Sequence, residues 1–197
     1  MSARRTCSLA VLACAGMLAL SGCGGTPHPG AAAVVGGHRI TVAAVQSQAG
    51  QLRGAVGADA KTVNLPRFTL NRMINDRVLD RAATAQGITV QASDWRRLEA
   101  ADEKTVGGRA ALEQTLLQHE GLLPGQIDDF YRQQAEWQQL QASTGQPAGS
   151  KAAATAGRKI LADTAAGLHI DINPRYGSWD VAKMQLGKAS EPWLKQA

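Results

Sequence analysis

The chain has 197 residues, room for one domain of ordinary size with tails. Its 21 lysines and arginines against 16 aspartates and glutamates leave a mild surplus of +5, with the signs interspersed and no basic run carrying aromatics, which argues against a nucleic-acid surface. The only cysteines are Cys7, Cys14 and Cys23, so nothing beyond position 23 can form a disulfide, bind a metal through sulfur or supply a thiol nucleophile.

The N-terminus places Arg4 and Arg5 ahead of an apolar run from Cys7 to Leu20, broken early by Ser8. That run is too short for a stable membrane-spanning helix, which needs about 20 residues. With its positive start and small residues behind it, it reads as a signal peptide, residues 1–22, removed after export. Leu20-Ser21-Gly22-Cys23 resembles the bacterial lipobox. The resemblance implies a diacylglycerol thioether on Cys23, cleavage before it, acylation at the new amino group, and residence on the extracytoplasmic face of the cell membrane. One acyl chain binds a membrane marginally. Two or three hold far better, at about 0.8 kcal/mol per buried methylene. Cleavage also takes Arg4 and Arg5 out of the basic surplus. Both the general and the twin-arginine export routes stay open.

Residues 23–32, Cys23 followed by Gly-Gly-Thr-Pro-His-Pro-Gly-Ala-Ala, cannot bury a core and read as a tether reaching up to about 30 Å. Val34-Val35 and His38-Arg39-Ile40 flank Gly36-Gly37, a pair suited to a tight hairpin turn. Thr41 offers an N-cap oxygen for a helix to about Arg53, with Val42, Val45 and Leu52 inward, and Gly54 to Asn64 reads as a loop. The strongest helix follows. Pro66 sits in its first turn, Phe68, Leu70, Met73, Ile74, Val78, Leu79 and Ala82 recur at mainly helical spacing, and Gly87 stops it. Ser93 is the expected N-cap of the next helix, with Asp94 in its first turn and Trp95 and Leu98 inward, ending at Gly107-Gly108.

Ala110 to Glu120 makes a shorter helix with Leu112, Leu116 and Leu117 on one side, closed by Gly121. Pro124 opens another, with Ile127, Phe130, Tyr131, Trp137 and Leu140 as its apolar stripe and Asp128-Asp129 favourably near its N-terminus. Ser143–Ser150 is a break, and a last helix spans about Lys151–Ala166 with Ala156 and Ile160 packed. Leu168, Ile170 and Ile172 then alternate with polar residues as a half-buried strand, stopped by Pro174. A lone strand leaves backbone groups unpaired, so its natural partner is the N-terminal hairpin. The expected fold is mainly α, a helical lobe with a small sheet joining the two ends of a domain over 33–180, followed by a tail over 181–197 in which Trp193 has a chance to pack.

Motifs for chemistry are missing. There is no nucleophile elbow, phosphate loop, dinucleotide fingerprint or paired-histidine zinc helix. His28, His38, His119 and His169 fall in tether, turn, helix end and strand. Asp128-Asp129 and Asp102-Glu103 are helical neighbours in sequence that do not face each other. The expectation is a protein that is not an enzyme and takes neither cofactor nor metal. Phe68, Met73, Trp95, Phe130, Tyr131 and Trp137 have two readings. They form the core of the helical body, or some of them line an apolar groove for polypeptide, since aromatics and Met give adaptable contact area.

The order of elements resembles the N-terminal domain of the SurA and PrsA extracytoplasmic chaperones. Four stretches carry the likeness: Val34-Val35-Gly36-Gly37-His38-Arg39-Ile40-Thr41; Met73-Ile74-Asn75-Asp76-Arg77-Val78-Leu79 with Gly87-Ile88-Thr89-Val90; Leu116-Leu117 to Asp128-Asp129-Phe130-Tyr131-Arg132; and Ile170-Asp171-Ile172-Asn173-Pro174-Arg175-Tyr176-Gly177-Ser178-Trp179-Asp180. Full-length members of that family insert a parvulin prolyl isomerase domain before the last helix. Here that place holds only Ser143–Ser150, so isomerase activity is not carried over. The resemblance implies a lipid-anchored module that binds unfolded or newly exported polypeptides without ATP. The alternative is a non-catalytic adapter docking one envelope or secretion partner.

Overall fold

The computed structural model describes residues 29–57 and 64–187. Leu20, Ser21, Gly22, Cys23, His28 and Trp193 lie outside the described residues.

Strands β1 (Ala31–Val35) and β2 (His38–Thr41) pair antiparallel with Val35 opposite His38, leaving Gly36-Gly37 as the turn. Their φ values of +55° and +82° are both in the region that a two-residue turn of this twist requires. A Cβ on Gly36 would also lie 2.7 Å from Leu168 Cδ2, so space and backbone both select glycine there. Helix α1 (Val42–Val56) starts where Thr41 Oγ1 accepts the Ala44 N–H at 3.0 Å. It runs through Gly54, where a loop was expected. Val56 packs against Ala49, Leu52 and Leu65, and that burial outweighs the roughly 1 kcal/mol cost of a helical glycine.

Helix α2 (Leu65–Ala85) is capped by Asn64, whose Oδ1 accepts the Arg67 N–H at 3.2 Å. Its buried face is Leu65, Thr69, Leu70, Ile74, Val78, Ala82 and Ala83. It ends with the Ile88 N–H donating to the Ala83 carbonyl at 2.9 Å over left-handed Gly87. α2 is the central element of the body. Helix α3 (Ala92–Val106) is capped at Gln91 rather than Ser93. The Asp94 carboxylate accepts the Gln91 N–H at 3.0 Å and draws the start of the helix forward, which leaves Ser93 inside the first turn. Helix α4 (Arg109–Glu120) closes on Gly121. Pro124–Gln126 forms one 3-10 turn before α5 (Ile127–Ala142).

Helix α6 (Lys151–Gly167) starts at Ser150, whose Oγ accepts the Ala153 N–H at 3.0 Å. Ala153, Gly157 and Ala165 face inward, while Ala156 and Ile160 are only half-buried. The small side chains allow close approach, so they rather than Ile160 take the contact. Strand β3 (Asp171–Ile172) pairs antiparallel with β1, Ala33 opposite Ile172, giving the order β2-β1-β3 and joining the two ends of the domain. The strand is shorter than the alternation suggested. Leu168 caps α6 and its carbonyl accepts the Gly36 N–H at 2.8 Å, and His169 takes φ +49°, which interrupts extended backbone.

A second hairpin, β4 (Trp179–Asp180) with β5 (Gln185–Leu186), lies where the sequence suggested a turn and a sparse tail. It lies along α2: the Leu186 N–H donates to Asn71 Oδ1 at 2.8 Å and Asn75 Nδ2 to the Met184 carbonyl at 3.2 Å. The boundary expected after residue 180 therefore falls inside a hairpin. The principal core joins β1, α1, α2, α6 and Tyr176 around Val45, Leu70, Ile74 and Val78. A second cluster gathers Leu112, Leu116, Leu122, Ile127 and Tyr131.

Candidate binding groove

An open groove of about 790 Å³ runs between the last turn of α1, the first turn of α2 and the outer face of α4. Leu52, Val56, Leu65, Phe68 and Leu117 provide its apolar wall, and Glu113, Gln114, Gln118 and His119 its polar rim. Phe68 is 39 % exposed, one of two large apolar side chains that open to solvent among the described residues. The other, Val106, ends α3 and does not line the groove.

Phe68 stands there for local reasons. The Asn64 cap and Pro66 set the first turn of α2 and turn Leu65 and Thr69 inward, which puts Phe68 on the adjoining face. Its ring lies against Gly121, where a Cβ would meet Phe68 Cε1 at 3.0 Å. Gly121 is also left-handed, φ +61°, as the end of α4 requires. The Arg72 guanidinium lies 5.8 Å from the Phe68 ring centroid and donates to the Gly121 carbonyl at 3.1 Å and to Gln126 Oε1 at 3.0 Å. Burial pulls Arg72 below its usual value, with Asp76 and Glu120 opposing. The exposed ring thus rests on a fixed base, which limits the entropy lost when something binds it.

The other proposed contact residues go elsewhere. Met73 packs half-buried on the principal core. Trp95 and Phe130 pack on the second cluster, with the Arg96 guanidinium 5.1 Å over the Trp95 ring. Phe130 meets Tyr131 edge-on, 5.2 Å between centroids. Tyr131 is 1 % exposed and its hydroxyl donates to Asp102 at 2.8 Å, so it has no surface to offer. Trp137 lies against Gly157 of α6, beside a shallower hollow of about 600 Å³ that also includes Leu98 and Ala142. Tyr131, Trp95 and Phe130 come together as core, and Phe68 alone of the six lines the groove.

Leu65 and Val56 escaped the reading of the sequence because each sits at a helix end, outside the apolar stripe. The signal for the groove was the Leu116-Leu117 pair. Adjacent leucines on a helix point about 100° apart, so one of them faces away from the core that the other fills. Leu116 is buried and Leu117 lines the groove.

Titratable groups gather on the seam between α2 and α5 rather than in the groove. Arg132 pairs with Asp80 at 3.3 Å and with Glu136, and Arg72 faces Asp76. Burial pushes Asp76 up to about 6 against the pull of Arg72, and burial raises Glu136 as well. Arg109 ties α4 to α3 through Glu99 and Glu103. Among the described residues no three His, Cys, Asp or Glu side chains cluster as metal ligands, and no helix is long and apolar enough to cross a membrane. The geometry offers broad, weakly directional apolar contact with a rim of hydrogen-bonding groups. No family model, no curated protein and no solved structure matches the chain.

Proposed function

We propose that this protein is an exported lipoprotein, anchored through Cys23, that holds apolar segments of non-native exported polypeptides in the α1/α2/α4 groove without ATP. It takes neither cofactor nor metal and does no chemistry on what it binds. Support comes chiefly from one observation, the exposed Phe68 ring on a rigid base in an otherwise apolar groove. A contact surface with so few directional groups suits weak, sequence-tolerant capture, in which apolar area supplies affinity at about 25 cal/mol per Å² buried.

The test uses the chain from Gly24 onward, which contains every described residue, mixed with an aggregating denatured client. Aggregation is expected to slow in proportion to the protein added. Phe68→Ala is expected to weaken capture about fivefold or more, the loss of one exposed aromatic contact, with little change in thermal midpoint. No suppression by the unaltered chain would sink the proposal. A single stoichiometric partner recovered from membranes, with no affinity for denatured chains, would favour the adapter instead.

A further inference from the structure

We infer that the groove has an occupant within the chain itself: the segment Ser190–Leu194, carrying Trp193 and Leu194, docks into it from the end of β5. The inference rests on the groove described above but not on client binding.

The path of the chain carries this. β5 runs along one stripe of α2 toward that helix's N-terminus. The Met184 carbonyl is held by Asn75, the Leu186 N–H by Asn71, and the Leu186 and Gly187 carbonyls by Arg67 Nη2. Asn75, Asn71 and Arg67 are successive turns, four residues apart. Gly187 is fixed from its other side as well, its N–H donating to the Ser178 carbonyl at 2.7 Å. The chain therefore leaves the described body pointing past the first turn of α2. Leu65 and Phe68, both within one turn of Arg67, are the α2 wall of the groove.

Length and composition fit. The residues that follow are Lys188-Ala189-Ser190-Glu191-Pro192-Trp193-Leu194-Lys195-Gln196-Ala197. From Gly187 to Trp193 an extended chain reaches about 20 Å, more than the turn or so of helix separating Arg67 from the groove. Trp193-Leu194 is the one pair of large apolar residues in that stretch, flanked by Glu191 and Lys195. Pro192 removes a backbone donor and favours extended backbone before it, so a short segment can lie in a groove with little ordering cost. Because the segment is tethered, its effective concentration at the groove is in the millimolar range, which makes a weak contact sufficient.

Paired cysteines test this in the chain from Gly24 onward, which has no cysteine of its own. Gln118→Cys on the rim of the groove with Leu194→Cys should form an intramolecular disulfide on mild oxidation. It should form at least about tenfold faster than the control pair, Arg158→Cys on α6 with Leu194→Cys. All three positions other than Leu194 can be checked for folding by circular dichroism before oxidation. Phe68→Ala in the groove pair should bring its rate down to that of the control. Equal rates for the two pairs, or disulfide-linked dimers in place of monomers, would overturn the inference. If the groove pair closes selectively and no client binds with or without Trp193→Ala, docking stands and the chaperone proposal falls. If docking and capture share the groove, Trp193→Ala should strengthen client binding about threefold or more, the release of an occupied fraction.

Discussion

Gly157 is a glycine in the interior of α6, a place where alanine is ordinarily worth about 1 kcal/mol more. Here a Cβ would lie 2.8 and 2.9 Å from Trp137 Cη2 and Cζ3. That ring is a rigid plate packed between helices, and it cannot yield by turning one flexible end. Gly157→Ala is expected to cost about 1–3 kcal/mol in urea unfolding despite its better helix propensity. Adding Trp137→Leu should recover much of the loss by vacating the space. A variant Gly157→Ala more stable than the parent would show that α5 and α6 do not meet at this point. Phe68 and Tyr131 make the complementary lesson. Both are aromatic and both sit on an apolar stripe, yet one ring is open to solvent and the other is sealed in the core.

At the scale of elements the seam between α2 and α5 is the unusual one, because carboxylates gather on it. Asp76 faces Arg72, Gln133, Asp80 and Arg132, and burial pushes its carboxyl up to about 6. In the unfolded chain the same group titrates near 3.9. Between about pH 4 and pH 6 the folded protein keeps a proton that the unfolded chain gives up. Its contribution to stability is full below about pH 4 and is lost as pH rises through about 6, an effect on the order of 2 kcal/mol. Glu136, also raised by burial, acts in the same direction. The urea midpoint should therefore fall between pH 4.5 and pH 7 relative to that of Asp76→Asn, in which this dependence is absent. A constant difference between the two chains across that range would mean that Asp76 is ionised throughout.

For the whole molecule the decisive question is where it is held. Nothing in the helical body spans a bilayer among the described residues, so attachment depends on what precedes it. Cys23→Ser is expected to move the protein from the membrane fraction to the soluble fraction and to leave the N-terminal region unprocessed. Intact mass of the native product should show cleavage before Cys23 with added lipid. A chain that stays membrane-bound after Cys23→Ser would remove the anchor from the proposed function.

Much of the architecture could be read before any coordinates. The hairpin turn at Gly36-Gly37, the cap at Thr41, the helix around Ile74 and its stop at Gly87 depend on residues within a few positions of one another, and local backbone preference and apolar periodicity report on that range. The pairing of β3 with β1 followed from the need to satisfy a strand's backbone groups. The case for lipid on Cys23 rests on the sequence alone, outside the described residues. Other features were invisible there. Two-residue strands such as β4 and β5 are too short to show alternation, and their partner Asn71 lies over a hundred positions away in the chain. The N-cap at Gln91 depended on how the Asp94 carboxylate turns. The groove depended on three helices converging at their ends, where the apolar stripe of each one stops and side chains such as Leu65, Val56 and Leu117 are left over. Periodicity says that a helix has an inward face. Which apolar residues find a partner there, and which stay open to solvent, is settled only when the helices meet.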